Sequence, residues 1–519
     1  MSLARDITTI GGGTLISRLL AYLRDAWIAA LLGAGAYSEA FFAVMQVVNF
    51  FRRLLSEGAL NSAFVPIYLK LRDGEDGVAN ADRFTRRVLL VMLCIGGIMT
   101  LLIVFFAPGV IAIIAPGFDR ERRSLAAFLL FMVAPYIVLV GLVAVVAAVL
   151  SAEGRIAPVA ISTILFNLVM VIVLALVILP NHEIEQFYTT SWLAFGASVA
   201  GLIQLVLVTG VWLASGKRWQ RAAARAPDQT NAFFRRALPG LIAAGIPQLK
   251  LIAATAIASA SPAAVSWLYY ANRLYELPLG VAAVAIAAVI VPRIAASVHA
   301  GDKAAFAAAQ SRAYEIAAGL ALPAATGFAL LADQIAGGLF EHGAFGRQDT
   351  VAVAGALTAI CFGLPGHVLE KVFGAVSFAH EDTRTPMLAA LIGLMTAILG
   401  GILLFPYFGH VGVAAAIGIS GWVGASVLNV ILQRRGWLSL DADAKRRLPR
   451  IALATAVMAC AVAFATYALG TAEPLPSIGR IVILAALVML GIAVYLAALQ
   501  ILGVAKLKEL AAAAARHGA

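Results

Sequence analysis

The 519-residue chain is 62% hydrophobic and 13% charged, with a mean hydropathy of +0.94 and a formal net charge of +11 at pH 7. That composition excludes an ordinary soluble globule, and the basic balance does not indicate nucleic acid, because the cations gather in alternate loops between long apolar runs. Cys94, Cys361 and Cys460 lie singly in separate apolar runs, so neither a disulfide framework nor a metal site is expected, only packing.

The chain begins with the stretch on which the rest depends, Thr14 to Tyr68. It predicts two long apolar helices joined at the Gly33–Gly35 break. It is not a cleavable signal peptide, since arginines interrupt the apolar region and Gly33-Ala34-Gly35 leads straight into a second span. Charges stand where a bilayer disfavours them: Arg18, Arg24 and Asp25 in the first helix, Arg52, Arg53 and Glu57 in the second. A cation near the bilayer centre costs at least ~2.5–3.5 kcal/mol, so each of these should face a wet cavity or a partner. Arg18 and Asp25 are two turns apart and share a face, while Arg24 projects about 120° away. On the second helix Gln46, Asn49, Arg53 and Glu57 form a polar stripe, with Arg52 about 100° from it. Arg53 and Glu57 have the spacing of a local ion pair.

Beyond this hairpin the apolar periodicity predicts an all-α polytopic membrane protein of about fourteen spans. They begin near residues 8, 37, 84, 125, 158, 188, 235, 266, 310, 349, 385, 411, 449 and 478. The N-terminus and alternate loops hold 26 of the 38 basic residues, which predicts that both termini are cytoplasmic. Arg120, Arg122 and Arg123 run against that rule, partly offset by Asp119 and Glu121.

Landmarks repeat along the chain. Pro135 and Pro365 each enter a long apolar helix, and those helices end in similar turns, Glu153-Gly-Arg155-Ile-Ala-Pro158 and Glu381-Asp-Thr-Arg384-Thr-Pro386. Phe64-Val65-Pro66 and Ile290-Val291-Pro292 match at nearly the same offset. A duplicated six-helix unit follows, both copies oriented alike as parallel pseudo-twofold repeats. The expected domains are an N-terminal lobe of helices 1–6 over 1–216, a cytoplasmic linker over 217–236, a C-terminal lobe of helices 7–12 over 237–436, and two further helices with a tail over 437–519. Gly412, Ala416, Ser420 and Gly424 recur every four residues as a flat ridge for close packing.

The second half supplies its own charges: Arg273 and Glu276 in YYANRLYELPLG, Lys250 nearby, and the adjacent Glu370-Lys371. The acids within the spans, Asp25, Glu39, Glu57 and Glu276, are too few and too unevenly placed to pair every cation. Guanidinium forks suit a phosphate, which they grip bidentately. Enzyme signatures are missing. The segment Gly210–Arg218 is one residue too long for a phosphate loop and has Arg in place of Ser/Thr, and His182-Glu183 stands outside any zinc motif. His367 and His380 read as packing or helix-end residues.

The segments SRLLAYLRD (17–25), AFFAVMQVVNFFRRLLSEGALNSAFVPIY (40–68), SWLYYANRLYELPLGVAAVAIAAVIVPR (266–293), LFEHGAF (339–345) and EDTRTP (381–386) resemble the MurJ, or MviN, family. These are bacterial lipid II flippases of the multidrug/oligosaccharidyl-lipid/polysaccharide exporter superfamily. The resemblance implies two six-helix lobes around a cavity, with two more helices forming a groove for an undecaprenyl tail. It implies movement of lipid II from the cytoplasmic to the outer leaflet of the inner membrane, by alternating access and without enzymatic conversion. Carried onto matching positions, it gives Ser17, Arg18, Arg24, Asp25, Asn49, Arg52 and Arg273 as the lining for the diphosphate and sugar. Glu39, Arg53, Glu57, Lys250 and Glu276 would be supporting or gating charges. No cofactor, metal or catalytic residue is expected. The partners are lipid II, membrane lipids and cell-wall synthesis proteins. Departures are Glu39 where Asp is frequent, Asn272 where Asp commonly precedes the arginine, and a seventh helix, QLKLIAATAIAS, without the acid some members use for sodium. The alternatives are a flippase for another polyprenyl-diphosphate glycan or, in a different class, a non-transporting scaffold of cell-wall synthesis.

Overall fold

A computed structural model describes residues 3–56, 59–74, 77–178, 185–214, 229–469 and 477–504, and every regular element among them is helical. The chain forms two compact units, Met1–Ser266 and Trp267–Ala519.

The first unit opens with α1 (Leu3–Leu32), which ends at Gly33 in the left-handed region (φ 60°), the conformation that glycine supplies at helix C-termini. There follow α2 (Ala36–Ser56), α3 (Ala59–Arg72), α4 (Gly77–Phe105) and α5 (Ala107–Ile114). Asp119 caps α6 (Arg120–Val133), its carboxylate accepting from the Arg122 N–H at 2.8 Å. Pro135 then opens α7 (Pro135–Ala152), where its missing N–H costs nothing. The unit is completed by α8 (Ile156–Val173), α9 (Gln186–Ala214), α10 (Thr230–Ala258) and the first residues of α11 (Ala264–Ala285). Its core includes an aromatic knot. Phe64 of α3 stacks on Phe84 of α4 at 5.0 Å and meets Phe233 of α10 edge-on at 5.9 Å. The outward face of α4 is apolar instead, with Leu90, Leu93, Ile98 and Leu101 exposed, as befits a helix whose surroundings are hydrocarbon.

The second unit contains the rest of α11, a π-helical segment Ile286–Ile290, α12 (Val291–His299) and α13 (Lys303–Leu330). Then come α14 (Ala332–Phe340), α15 (Arg347–Cys361), α16 (Leu364–Ala379), α17 (Arg384–Arg434), α18 (Ala442–Leu469) and α19 (Ser477–Ile501). The 51 residues of α17 would measure about 76 Å if straight, more than twice a bilayer core. Gly409 breaks it, with φ 54° and ψ −138°, a conformation closed to residues bearing a Cβ. A Cβ on Gly412 would lie 2.7 Å from the Leu404 carbonyl oxygen, and one on Gly400 3.1 Å from Ala416 Cβ, so the arms fold back on each other. The ridge Gly412, Ala416, Ser420 and Gly424 is buried along its length.

Nine stretches among the described residues are long and apolar enough to span a bilayer. The others expected from the sequence, α1, α2, α10 and α11, carry the charges, and α17 contains two arms, so the observed helices are compatible with about fourteen spans. Arg120–Ala152 and Arg347–Ala379 are both 33-residue spans broken by a proline, and each leads into a turn with a left-handed residue, Gly154 (φ 75°) or Glu381 (φ 59°). The cysteines correct an expectation: all three are free, but only Cys361 is buried, while Cys94 and Cys460 face outward from their helices. An apolar run does not say which of its faces is turned to lipid.

Candidate functional site

The first helix carries its polar residues on the side packed against α8. Asn167 of α8 donates from Nδ2 to both the carbonyl and the Oγ of Ser17, each at 3.1 Å. Its Oδ1 accepts from Arg24 Nη1 at 3.1 Å. Ser17 Oγ in turn donates to the Thr163 carbonyl at 3.3 Å. Arg24 donates from Nε (2.9 Å) and Nη2 (2.6 Å) to one oxygen of Asp25, a residue with no exposed surface. Adjacent residues on a helix point about 100° apart, yet the long arginine stem curls back across that arc. Arg24 is therefore compensated by its neighbour, which the face-by-face reading of the helix did not foresee. Arg18 is half-buried and makes no hydrogen bond or ion pair among the described residues.

On α2, Arg52 donates from Nη2 to Asn49 Oδ1 at 3.3 Å, and both side chains are half-buried, as are Arg53 and, on α10, Lys250. Glu57 lies outside the described residues, so the expected Arg53–Glu57 pair does too. Glu39, in the first turn of α2, is 1% exposed. It accepts from Arg122 Nη1 at 2.8 Å and from the Val265 N–H, at the start of α11, at 3.3 Å. Arg122 also reaches Asp119 at 3.1 Å, and Arg123 donates to the carbonyls of Pro116 and Phe118 at 3.2 Å each. The basic loop that defies the charge rule thus has local partners. The Arg122 N–H hydrogen bond and the nearby guanidinium hold the Asp119 carboxyl below its ordinary value.

In the second unit Arg273 lies 3.6 Å from Glu276, which also accepts from Asn272 at 3.4 Å, and both members of the pair are partly exposed. Around the first turn of α19, Arg480 donates to Glu341 at 2.6 Å, and the Thr350 hydroxyl donates to the other carboxylate oxygen at 2.7 Å. Partial burial pushes the Glu341 carboxyl up, but Thr350, Arg480 and Arg347 outweigh it and leave it below its usual range. Asp382 of the EDTRTP turn accepts from the N–H groups of Arg384 and Thr385 and from Arg435. α19 is further tied to α13 by Tyr495, whose hydroxyl donates to the Gly319 carbonyl at 2.9 Å. Leu453, Phe464, Ile481 and Met489 on α18 and α19 remain exposed as an apolar surface.

The structure thus joins Ser17 and Arg24 through one amide, and pairs Arg24 with Asp25, Asn49 with Arg52, Arg273 with Glu276, and Glu39 with Arg122. Asn167 was missed from the sequence, and Arg122, read there as an exception to the charge rule, was not foreseen as the partner of Glu39. The available signal for Asn167 was a lone amide in the middle of the apolar run ILFNLVMVIV.

With this geometry in hand, similarity is informative. The family model described as "Lipid II flippase MurJ" matches residues 28–471. A probable lipid II flippase MurJ from Rhizobium meliloti (strain 1021) is 36% identical over 486 residues, covering 92% of this chain and 90% of the relative. Among solved structures, a lipid II flippase MurJ in an inward closed conformation superposes with a TM-score of 0.78 at 22% identity, over 95% of this chain and 98% of that one. An inward-facing multidrug transporter of the MATE family, in the MOP superfamily, superposes with a TM-score of 0.64 at 17% identity, over 83% and 98%. At those identities the two structures speak for the fold.

Proposed function

We propose, from the premise that this chain belongs to the lipid II flippase MurJ family, that it moves undecaprenyl-diphosphate-linked peptidoglycan precursor from the cytoplasmic to the outer leaflet by alternating access. It is a multi-pass protein of the bacterial inner membrane and a member of a transporter family. The observation that carries the reading is the guanidinium of Arg24, held on one edge by Asp25 and at Nη1 by Asn167. Such bracing fixes the direction of the guanidinium without the entropy cost of ordering a free side chain, and Arg18 stands on the same helix without a partner among the described residues. A diphosphate is the ligand that two guanidinium groups suit best.

In this reading Ser17, Arg18, Arg24, Asp25, Asn49, Arg52 and Arg273 receive the diphosphate and sugar, and Glu39, Arg53, Glu57, Lys250 and Glu276 act as supporting or gating charges. The lobes are 1–216 and 237–436, separated by the cytoplasmic linker 217–236. The segment 437–519 supplies α18 and α19, whose exposed apolar faces suit a prenyl tail. Both termini lie in the cytoplasm, the substrate leaves chemically unchanged, and proteins of cell-wall synthesis are the expected neighbours. The test is flipping of labelled lipid II by the purified chain in liposomes, with other polyprenyl-linked glycans as competitors. Protein-dependent flipping that only lipid II competes away is the expected result. Equal competition by the other glycans would shift the substrate assignment, and no protein-dependent flipping would overturn it.

A further inference from the structure

Within the 33-residue span Arg347–Ala379, α16 carries His367 and Glu370 one turn apart. Each fills a slot left by a missing side chain on α17. A Cβ on Gly421 would lie 2.6 Å from His367 Nδ1, and one on Gly424 would lie 2.9 Å from Glu370 Oε1. Beside them the backbones themselves touch, since a Cβ on Gly363 would lie 2.3 Å from Gly418 Cα. His367 Nδ1 is 2.7 Å from the hydroxyl of Tyr275 on α11 and 3.2 Å from the Gly363 carbonyl. Tyr275 is 3% exposed.

Titratable groups within a span are costly and mark ion or proton paths. An imidazole, a carboxylic acid and a phenol are all proton-exchanging groups, so the ion that this set is built to take is a proton. The facing groups are few. α11 brings Tyr275 and Glu276, α15 ends in Cys361, α16 adds the outward-facing Lys371, and α17 offers its glycines and Trp422. α13 contributes Tyr314, against Phe373, and α12 turns Ile294 and Ser297 inward while Arg293 is exposed.

In the tautomer with its lone pair on Nδ1, protonation reverses the hydrogen bond to Tyr275. A neutral imidazole with a lone pair on Nδ1 accepts from the Tyr275 hydroxyl. Once Nδ1 carries a proton it must donate, to Tyr275 or to the Gly363 carbonyl, and the phenolic proton then needs a new acceptor. The change is felt on α11 between Arg273 and Glu276. We propose that His367, Glu370 and Tyr275 form a proton site that loads in one half of the transport cycle and unloads in the other. The proposal rests on the flippase reading and adds the counter-ion to it. Taken up outside and released inside, the proton moves its charge down an inside-negative potential while the empty carrier returns.

The test uses the full chain in ATP-free liposomes containing a trapped pH dye, with lipid II supplied on one side. The parent should show proton movement that accompanies flipping and a turnover that changes about fivefold between about pH 5.5 and 7.5, where imidazole titrates. His367→Gln and Glu370→Gln should flip lipid II without the proton signal and with a pH profile flat to about twofold over that same range. Flipping by the parent without proton movement, or variants that keep both the signal and the profile, would overturn the site. Where a variant unfolds in detergent, the other one decides. A parent that does not flip lipid II would refute the flippase reading instead. The site is then judged by imidazole NMR of His367, which must titrate in that range and respond to Glu370→Gln.

Discussion

Replacing Asn167 with leucine removes one amide of similar volume and ends three hydrogen bonds at once: one from Arg24 and two to Ser17. Asp25 still holds Nε and Nη2 of Arg24, so a single guanidinium N–H is released. A hydrogen bond to a charged group contributes ~1.5–3 kcal/mol, and the lower end applies because Asn167 is half-buried and water can replace part of it. Half-saturation by lipid II should therefore move about tenfold higher, the equivalent of about 1.4 kcal/mol. The lost Ser17 bonds, neutral and worth ~1 kcal/mol each, should appear separately as a lower unfolding temperature in detergent. Asn167→Asp keeps the acceptor and adds a negative charge. It should hold Arg24 more tightly yet weaken diphosphate binding, most of all at low salt, where repulsion is least screened. Flipping measured over a range of lipid II concentrations decides the matter. A folded Asn167→Leu protein that saturates within about twofold of the parent, well inside that tenfold expectation, would refute a role for the amide in aiming Arg24.

Arg24→Ala, Arg52→Ala and Arg273→Ala should each leave protein in the membrane but unable to sustain growth as the sole flippase. Lysine should rescue poorly, because it lacks the bidentate fork; normal growth with the triple alanine variant would contradict this. Photo-crosslinkers on α18 and α19 should capture the prenyl portion of the substrate and those near Arg52 its headgroup, a pattern that mass spectrometry of the adducts can verify or reverse. Flipping in ATP-free liposomes should follow an imposed inside-negative potential, since moving about two negative charges outward gains on the order of 4–5 kcal/mol at 100 mV. Insensitivity to an ionophore that collapses the potential would count against it. The Glu341 carboxyl, held below its ordinary 4.5, stabilises the fold above that pH and loses its contribution as the pH falls through its lowered folded value. Glu341→Gln should thus lower the unfolding temperature at neutral pH and match the parent in strong acid; an equal gap at both would show that the carboxylate charge is not what stabilises the α14–α19 contact.

Much of this architecture was legible because bilayer physics writes long signals. Pro135 and Pro365 marked the two broken spans, and the ridge from Gly412 to Gly424 marked a buried face. Local pairing was harder to read. Spacing rules treat side chains as spokes of fixed direction, whereas Arg24 bends onto its neighbour Asp25, and Arg122 reaches a carboxylate more than eighty positions earlier in sequence. Asn167 escaped notice because a neutral amide carries no charge to count, although it bonds both Ser17 and Arg24. Gly424 reads in the sequence as small-residue packing, and only the structure shows that it and Gly421 make room for a carboxylate and an imidazole.

The left-handed turn at Gly409 has a consequence for biosynthesis. Two arms joined without a loop leave the ribosome as one helical hairpin, so the membrane judges their hydrophobicity together and not span by span. His410 and Ser420 in the later arm can enter lipid behind an earlier arm rich in leucine and isoleucine, their hydrogen-bonding groups shielded as the hairpin closes. A bulkier residue at 409 would stress that turn during insertion, and its first symptom would be protein cleared during synthesis, before any lipid has been carried.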